Sequence, residues 1–152
     1  MRKKHRSPQR RILCIEDDHE SARLIAEELL DWGFEVDIAY NGYEGLAAIE
    51  KQWPDLVLCD ICMPGMSGFE VLERLTALAP RFGEMPFVFL TAVAEPDNQL
   101  KGRQLGADDY VTKPIDFDVL AAIIAARFAT ESNAVIAAMD AIGTSDLGLS
   151  LG

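Results

Sequence analysis

Histidine and cysteine are scarce in this chain, and no hydrophobic run is long. A structural zinc site takes four cysteine or histidine ligands, and the only histidines that could join the three cysteines in one are His5 and His19. The longest apolar runs are only a few residues, far short of the roughly 20 that span a bilayer. No apolar segment follows the basic N-terminus, so that segment is not typical of a secretory signal. We therefore expect a soluble, cytoplasmic protein with no membrane association.

Basic residues are also scarce outside the N-terminus. Residues 1–11 contain six of the 14 lysines and arginines and no acid. Residues 12–152, the acidic body of the chain, therefore contain eight bases and all 25 acids. Because phosphate backbones need cationic partners, this acidic body is not expected to bind nucleic acid directly. Residues 1–10 are interpreted as a solvated basic tail, with contact to nucleic acid or membrane as the alternative.

The odd number of cysteines indicates free thiols in a reducing compartment. Cys59 and Cys62 form a C-x-x-C pair, which can be a redox motif or half of a zinc site. However, Cys59 lies inside an apolar run, and the chain has no second C-x-x-C. We interpret the pair as incidental.

Hydrophobic patterning predicts five short strands that alternate with five helices. The predicted strands are 12–15, 34–39, 56–59, 87–90 and 110–111, and the predicted helices are 19–31, 43–51, 69–80, 97–105 and 117–130. Such alternation is typical of an α/β fold, a doubly wound parallel sheet with helices on both faces. The length fits one domain. Residues 131–152 are then a C-terminal extension or linker.

Asp60 ends the apolar run Leu56–Cys59 and precedes the turn signal Pro64-Gly65. An acid in this position either starts a turn or belongs to a site, because ligands of open α/β sheets bind at the carboxyl ends of the strands. Polar residues follow the other strands as well, and they decide between these alternatives. The candidate residues are Glu16, Asp17, Asp60, Thr91 and Lys113.

These five side chains are expected to converge at one edge of the sheet. Three neighbouring carboxylates need a compensating charge, which a divalent cation or a lysine can supply. Oxygen ligands suit Mg²⁺, a lysine suits a phosphoryl oxygen, and a threonine hydroxyl can donate a hydrogen bond. The set favours phosphoryl transfer to Asp60.

Four motifs in order resemble the receiver domain of two-component response regulators. They are Ile12-Leu-Cys-Ile-Glu-Asp-Asp18, Asp60-Ile-Cys-Met-Pro-Gly-Met-Ser-Gly68, Leu90-Thr91-Ala92 and Gly106-Ala-Asp-Asp-Tyr-Val-Thr-Lys-Pro114. The resemblance covers about residues 11–130. It implies a (βα)5 flavodoxin-like three-layer sandwich with a five-stranded parallel sheet in the order 2-1-3-4-5. It also implies a phosphorelay receiver rather than an enzyme, with only self-phosphorylation and autodephosphorylation as activities.

The resemblance assigns a role to each candidate. Asp60 would accept the phosphoryl group of a sensor histidine kinase or phosphotransfer protein. The Mg²⁺ ligands, with Mn²⁺ as an alternative ion, would be the side chains of Asp17 and Asp60, the backbone carbonyl of Cys62 and, through a water, Glu16. The phosphoryl oxygens would be held by Lys113, Thr91 and the backbone N–H of Ala92. Thr91 and Tyr110 would be the switch residues, and the Lys113–Pro114 bond would be cis.

Some residues depart from the family pattern. Glu16 replaces a commoner aspartate. Cys62 and Val93, two residues after Asp60 and Thr91, have side chains that cannot assist a water, so hydrolysis of the phosphoaspartate is expected to be slow. Cys62 also stands where haloacid dehalogenase phosphatases, a rival interpretation, have a general acid. A second rival is a pseudo-receiver that binds partners without phosphorylation, but the complete set of site residues argues against it.

The predicted helix 117–130 is apolar on all sides, which predicts burial on all sides. We expect its outer face to contact either a second copy of the chain or residues 131–152. Phosphorylation is expected to re-form the face made by the fourth helix, fifth strand and fifth helix, through which a homodimer could form.

Overall fold

The structure, a computed structural model, describes residues 9–78, 85–92, 101, 104 and 107–142, with side chains up to residue 129. The chain forms two compact units, Met1–Asp116 and Phe117–Gly152. In the described part of the first unit, the strands are β1 (Arg11–Ile15), β2 (Glu35–Ala39), β3 (Leu56–Asp60), β4 (Phe87–Thr91) and β5 (Asp109–Thr112). Its helices are α1 (His19–Asp31), α2 (Gly42–Lys51) and α3 (Gly68–Leu78).

The five strands form one parallel sheet in the order β2-β1-β3-β4-β5. This confirms the predicted doubly wound α/β fold and its strand order. Strands β3 and β4 lie inside the sheet and are buried along their whole length. That pattern is expected for strands covered on both faces, and β2 is only partly buried because it lies at an edge.

Alternate residues of the strands face opposite sides of the sheet. On one side, Leu13, Val57 and Phe87 belong to a buried cluster that also contains the inward residues of α2 and α3. Phe69, Leu72 and Leu75 of α3 are buried in this cluster. Helix α1 packs against β1 and β2 through Ala22, Ile25 and Leu29, which are buried but do not belong to that cluster.

Helix boundaries follow local capping chemistry. Asp18 is the N-cap of α1, because its carboxylate accepts from the backbone N–H of Ser21. Asn41 caps α2 in the same way. Helix α1 ends at Asp31, and Gly33 shortly after it has a φ of 96°, which L-residues with side chains rarely adopt. These caps place the β1–α1 and β2–α2 loops at the carboxyl edge of the sheet.

The C-terminal helix runs from Phe117 to Ile142, so the predicted end near residue 130 is wrong. The run Thr130-Glu-Ser-Asn133 is polar, but it contains neither glycine nor proline. Without such a residue the helix continues, and the next glycine is Gly143. Leu120 and Ile124 of this helix are buried, whereas Val119 is exposed.

Some predictions fall outside the described residues. These include the basic tail up to residue 8, Val93, and most of the predicted helix 97–105, of which Lys101 and Gln104 are described and helical. No helix within the described residues is both long and apolar enough to cross a membrane.

Phe89 of β4 packs against two other aromatic rings in the core. Phe89 is fully buried, and its ring lies 5.2 Å from the rings of both Phe69 and Phe87. We expect Phe89→Ala to lower the free energy of unfolding by about 3–5 kcal/mol, because it leaves a cavity between three strands and a helix. Urea unfolding would measure this loss. Leu24→Ala, at a position that is 45% exposed, is the control and should cost much less; equal losses would contradict the packing.

Candidate functional site

The predicted site residues occupy the carboxyl ends of four neighbouring strands. Glu16 and Asp17 directly follow β1, Asp60 and Thr91 are the last residues of β3 and β4, and Lys113 directly follows β5. Because these strands are parallel, their ends meet at one edge of the sheet.

The three acids form one cluster. Glu16, Asp17 and Asp60 each offer a carboxylate oxygen, and these oxygens lie within 4.8 Å of one another. Glu16 is fully buried and Asp60 is only 5% exposed, whereas Asp17 is partly exposed. Three oxygen donors with one open side suit a hard divalent cation such as Mg²⁺, which keeps several waters when bound to protein. The donor chemistry therefore fits the metal that the sequence predicted.

Lys113 is the counter-charge to this cluster. Its Nζ atom lies 2.6 Å from Oε1 of Glu16 and 3.3 Å from Oδ2 of Asp60. The backbone N–H of Lys113 donates to the carbonyl of Thr91 over 2.7 Å, which holds the backbone of Lys113 against the end of β4. The peptide bond from Lys113 to Pro114 is cis.

Both carboxylate oxygens of Glu16 accept hydrogen bonds. Oε1 accepts from Lys113, and Oε2 accepts from the backbone N–H of Asp18 over 3.1 Å. A buried carboxylate is stabilised only by such hydrogen bonds and charge pairing. The family resemblance implied that Lys113 contacts a phosphoryl group. In the structure, Lys113 lies closer to Glu16 than to Asp60, and this was not predicted. The side chain of Glu16 is one methylene longer than that of an aspartate.

These surroundings change the ionisation of Asp60 and Lys113. Burial raises the pKa of Asp60 to about 7, and the negative charge of Glu16 adds to the effect, while Lys113 opposes it. Burial lowers the pKa of Lys113. The hydrogen bond to Glu16 and the charges of Asp60 and Glu16 outweigh that effect, so the pKa is raised overall. Lys113 therefore stays charged beside two acids.

The two predicted switch residues lie near β4. Thr91 is buried, at 4% exposure. Tyr110 is half-buried on β5, where its ring centroid lies 5.8 Å from that of Phe89 and packs against the core cluster. Ala92, whose backbone N–H was predicted to hold phosphate, is exposed.

The two cysteines of the C-x-x-C pair have different surroundings. Cys59 is buried in the core, and burial raises the pKa of its thiol well above the usual value. The thiolate that redox or zinc chemistry needs is therefore disfavoured there. Cys62 is exposed, and its backbone N–H donates to Oδ1 of Asp60 over 3.3 Å.

Two features near the site were missed from the sequence. The rings of His19 and Tyr40 stack with centroids 3.8 Å apart, which joins the β1–α1 loop to the end of β2. Gly68, the first residue of α3, lies against the backbone of Asp60. The capping box Ser67–Glu70 could have located the start of α3, but no sequence signal reports that backbone contact.

Comparison with known proteins decides the family. The sequence-family model described as the response regulator receiver domain matches residues 12–125 of this chain. The chain belongs to the response regulator receiver family. These are the receiver domains of two-component signalling, so the resemblance drawn from the four motifs is confirmed.

Individual relatives agree with this receiver assignment. The chain is 41% identical over 128 residues to the transcriptional regulatory protein DltR of Streptococcus agalactiae, covering 84% of this chain and 55% of that protein. A putative response regulator from Chloroflexus aurantiacus has a solved structure with a TM-score of 0.76 and 30% identity, covering 80% of this chain and 99% of that one. A CheY-like receiver domain protein from Methanospirillum hungatei has a TM-score of 0.74 and 34% identity, with 83% and 99% covered. The receiver thus spans about half the length of the curated relatives it matches.

The raised pKa of Asp60 predicts a pH dependence in metal-free buffer. Because the pKa in the folded chain (about 7) exceeds the ordinary aspartate value of 3.8, this group stabilises the fold below about pH 4. That contribution is lost as the pH rises through 7. Asp60→Asn, which cannot ionise, should therefore gain stability relative to the wild type as the pH rises. At 1.36 kcal/mol per pKa unit, the two pH units from about pH 5 to pH 7 give a gain of about 3 kcal/mol, and above pH 7 the gain levels off.

Urea unfolding in a chelating buffer would measure this difference. Leu24→Ala, an exposed and non-ionisable position, corrects for the pH dependence of the rest of the chain. A difference between wild type and Asp60→Asn that stays constant with pH would contradict the assignment.

Proposed function

We propose that this receiver accepts a phosphoryl group on Asp60 from the phosphohistidine of a sensor histidine kinase or a phosphotransfer protein. The observation that carries the proposal is the environment of the Asp60 carboxylate. It lies at a strand end beside two further acids, and its two oxygens contact Lys113 and the backbone N–H of Cys62.

The transfer makes one bond and breaks one. A carboxylate oxygen of Asp60 attacks phosphorus while the P–N bond of phosphohistidine breaks. The electron pair of that bond stays with the imidazole nitrogen, and a proton on the other ring nitrogen lets the ring leave as neutral imidazole. The product is an acyl phosphate on Asp60. Most of the catalysis is positioning and charge stabilisation, because the transferring group needs little covalent assistance.

Mg²⁺ is the proposed cofactor, with Mn²⁺ as the alternative. Asp17, Asp60 and the backbone carbonyl of Cys62 would hold it, with Glu16 acting through a water. When bound, the ion supplies positive charge against the carboxylates and the incoming phosphoryl oxygens. Glu16 is suited to an indirect role because both of its oxygens already accept hydrogen bonds within the protein.

Lys113, Thr91 and the backbone N–H of Ala92 are proposed to hold the phosphoryl oxygens. Lys113 would exchange its contact with Asp60 for a phosphoryl oxygen while Glu16 continues to anchor it. Inward movement of Thr91 would leave room for Tyr110, which is half-buried against Phe89 in this structure. Phosphorylation then acts by favouring one of two existing arrangements of the face around β5.

The cellular setting follows from the same proposal. Free thiols at Cys14, Cys59 and Cys62 suit the reducing cytoplasm. The acidic body argues against direct nucleic-acid binding by this domain, although the names of several relatives describe transcriptional regulators. A homodimer through the face formed by the fourth predicted helix, β5 and the C-terminal helix stays a prediction. So do the roles of the basic tail and of residues 131–152.

The first test is a mass measurement. After incubation with Mg²⁺ and a small acyl phosphate, the wild type should gain the mass of one phosphoryl group. Asp60→Asn should gain nothing, because an amide oxygen cannot form the acyl phosphate. Asp31→Asn, an exposed acid at the end of α1, is the matched control and should gain the same mass as the wild type.

Two results would favour the rival functions. Steady release of phosphate at a rate typical of an enzyme would favour a phosphatase of the haloacid dehalogenase type. Folded wild-type protein that gains no mass with any phosphodonor would favour an unphosphorylated pseudo-receiver.

The exposed side chain of Cys62 predicts slow hydrolysis of the phosphoaspartate. Its thiol is a weak hydrogen-bonding group and gives little help to an attacking water. We expect Cys62→Asn, which can orient a water, to shorten the lifetime of the phosphorylated protein by roughly tenfold. Mass spectrometry over time after removal of the donor would measure both lifetimes. A wild-type lifetime of only seconds without a phosphatase would contradict the prediction.

A further inference from the structure

Gly68 lies against the backbone of the residue that carries the chemistry. A Cβ atom placed on Gly68 would lie closer to the carbonyl oxygen of Asp60 than real Cβ atoms come to any neighbour. It would also lie 3.0 Å from Cα of Ile61 and 3.1 Å from the carbonyl carbon of Asp60. All three of these atoms belong to the main chain, so no side-chain rotation can relieve the overlap.

The backbone at Asp60 has little freedom to move away. Strand β3 is buried throughout and pairs with β1 on one side and β4 on the other. Just beyond it, the N–H of Ile61 donates to the carbonyl of Leu90 over 3.0 Å. A side chain at position 68 would therefore displace either the end of β3 or the first turn of α3.

The first turn of α3 is also fixed in place. The N–H of Gly68 donates to the carbonyl of Ile61 over 2.9 Å. Ser67 and Glu70 exchange reciprocal hydrogen bonds as a capping box. On the other side of the loop, Met66 is buried and packs against Gly42 at the start of α2. The loop between β3 and α3 is thus anchored at its end by the contact between Gly68 and Asp60.

This loop carries a group that orients the Asp60 carboxylate. The backbone N–H of Cys62 donates to Oδ1, while Lys113 contacts Oδ2. We propose that Gly68 is a positioning residue for Asp60, because the missing side chain lets α3 begin in direct contact with the Asp60 carbonyl. That contact sets the place of the carboxylate relative to Cys62 and Lys113. The inference rests on the function proposed above, since it concerns how well Asp60 binds Mg²⁺ and accepts phosphate.

Two other glycines provide matched controls. Gly33 has a φ of 96° and no atom within 4 Å of an added Cβ, so Gly33→Ala strains the backbone far from the site. The three atoms nearest to a Cβ on Gly45 all belong to the Ile15 side chain, of which Cγ1 would lie at 2.9 Å. Gly45→Ala therefore perturbs side-chain packing inside a helix without pressing on the main chain at Asp60.

The experiment compares Gly68→Ala with Gly33→Ala and Gly45→Ala in the full chain. Two quantities are measured well below each melting temperature: the dissociation constant for Mg²⁺ by calorimetry, and the rate of phosphoryl gain from a small acyl phosphate. All three variants are expected to lose stability. Only Gly68→Ala should weaken Mg²⁺ binding and slow phosphorylation, by roughly tenfold to a hundredfold, as expected for a shift of about 1 Å in a reacting group.

The outcomes separate this inference from the proposed function. Wild-type protein that neither binds Mg²⁺ nor gains phosphate would overturn the proposed function. Active wild type with Gly68→Ala no weaker in Mg²⁺ binding than Gly33→Ala would overturn the positioning role alone. Should Gly68→Ala be unfolded, the measurements are repeated with trimethylamine N-oxide, which favours the folded state. If it stays unfolded there while both controls fold, the contact serves the fold and the positioning role is overturned.

Discussion

The geometry of the candidate site depends on the pairing of Lys113 with two buried acids, Glu16 and Asp60. Glu16 is fully buried and Asp60 nearly so, and Lys113 contacts both. Charges in such a position are costly unless paired and hydrogen-bonded. The protein meets this need with Lys113, with the backbone N–H of Asp18 and with that of Cys62. Two acids contact this lysine and Asp17 lies beside them, so the negative charge of the cluster is only partly compensated.

The parallel sheet makes this charge arrangement possible. Because β1, β3, β4 and β5 run in the same direction, their last residues meet although Glu16 and Lys113 are 97 positions apart in sequence. The apolar interiors of the same strands fix the register, since a slip of one residue would turn buried side chains to the other face. Core packing and site geometry therefore depend on one another. Gly68 extends this dependence to α3, which starts directly against the carbonyl of Asp60.

Most elements could be predicted from local patterns. Short apolar runs indicated the strands, and Asp18 and Gly33 marked the ends of α1. The C-terminal helix was predicted too short, and residues such as Thr130 and Asn133 weaken a helix without ending it. The site residues were predicted because each follows a strand. The closer contact of Lys113 with Glu16 and the contact of Gly68 with Asp60 join residues that are distant in sequence or belong to the backbone, so local patterns do not report them.

The sequence by itself predicted which residues gather at the carboxyl edge of the sheet and what chemistry they suit. The order of strand-end residues, from Glu16 to Lys113, depends on hydrophobic periodicity and residue type, which are local properties. Only the tertiary structure decided how charge is shared among them. The pKa of Asp60 is raised to about 7 because burial and the neighbouring Glu16 act together on its carboxylate. Burial and distance between charges are set by the packing of the whole sheet, and electrostatic energy changes steeply with both.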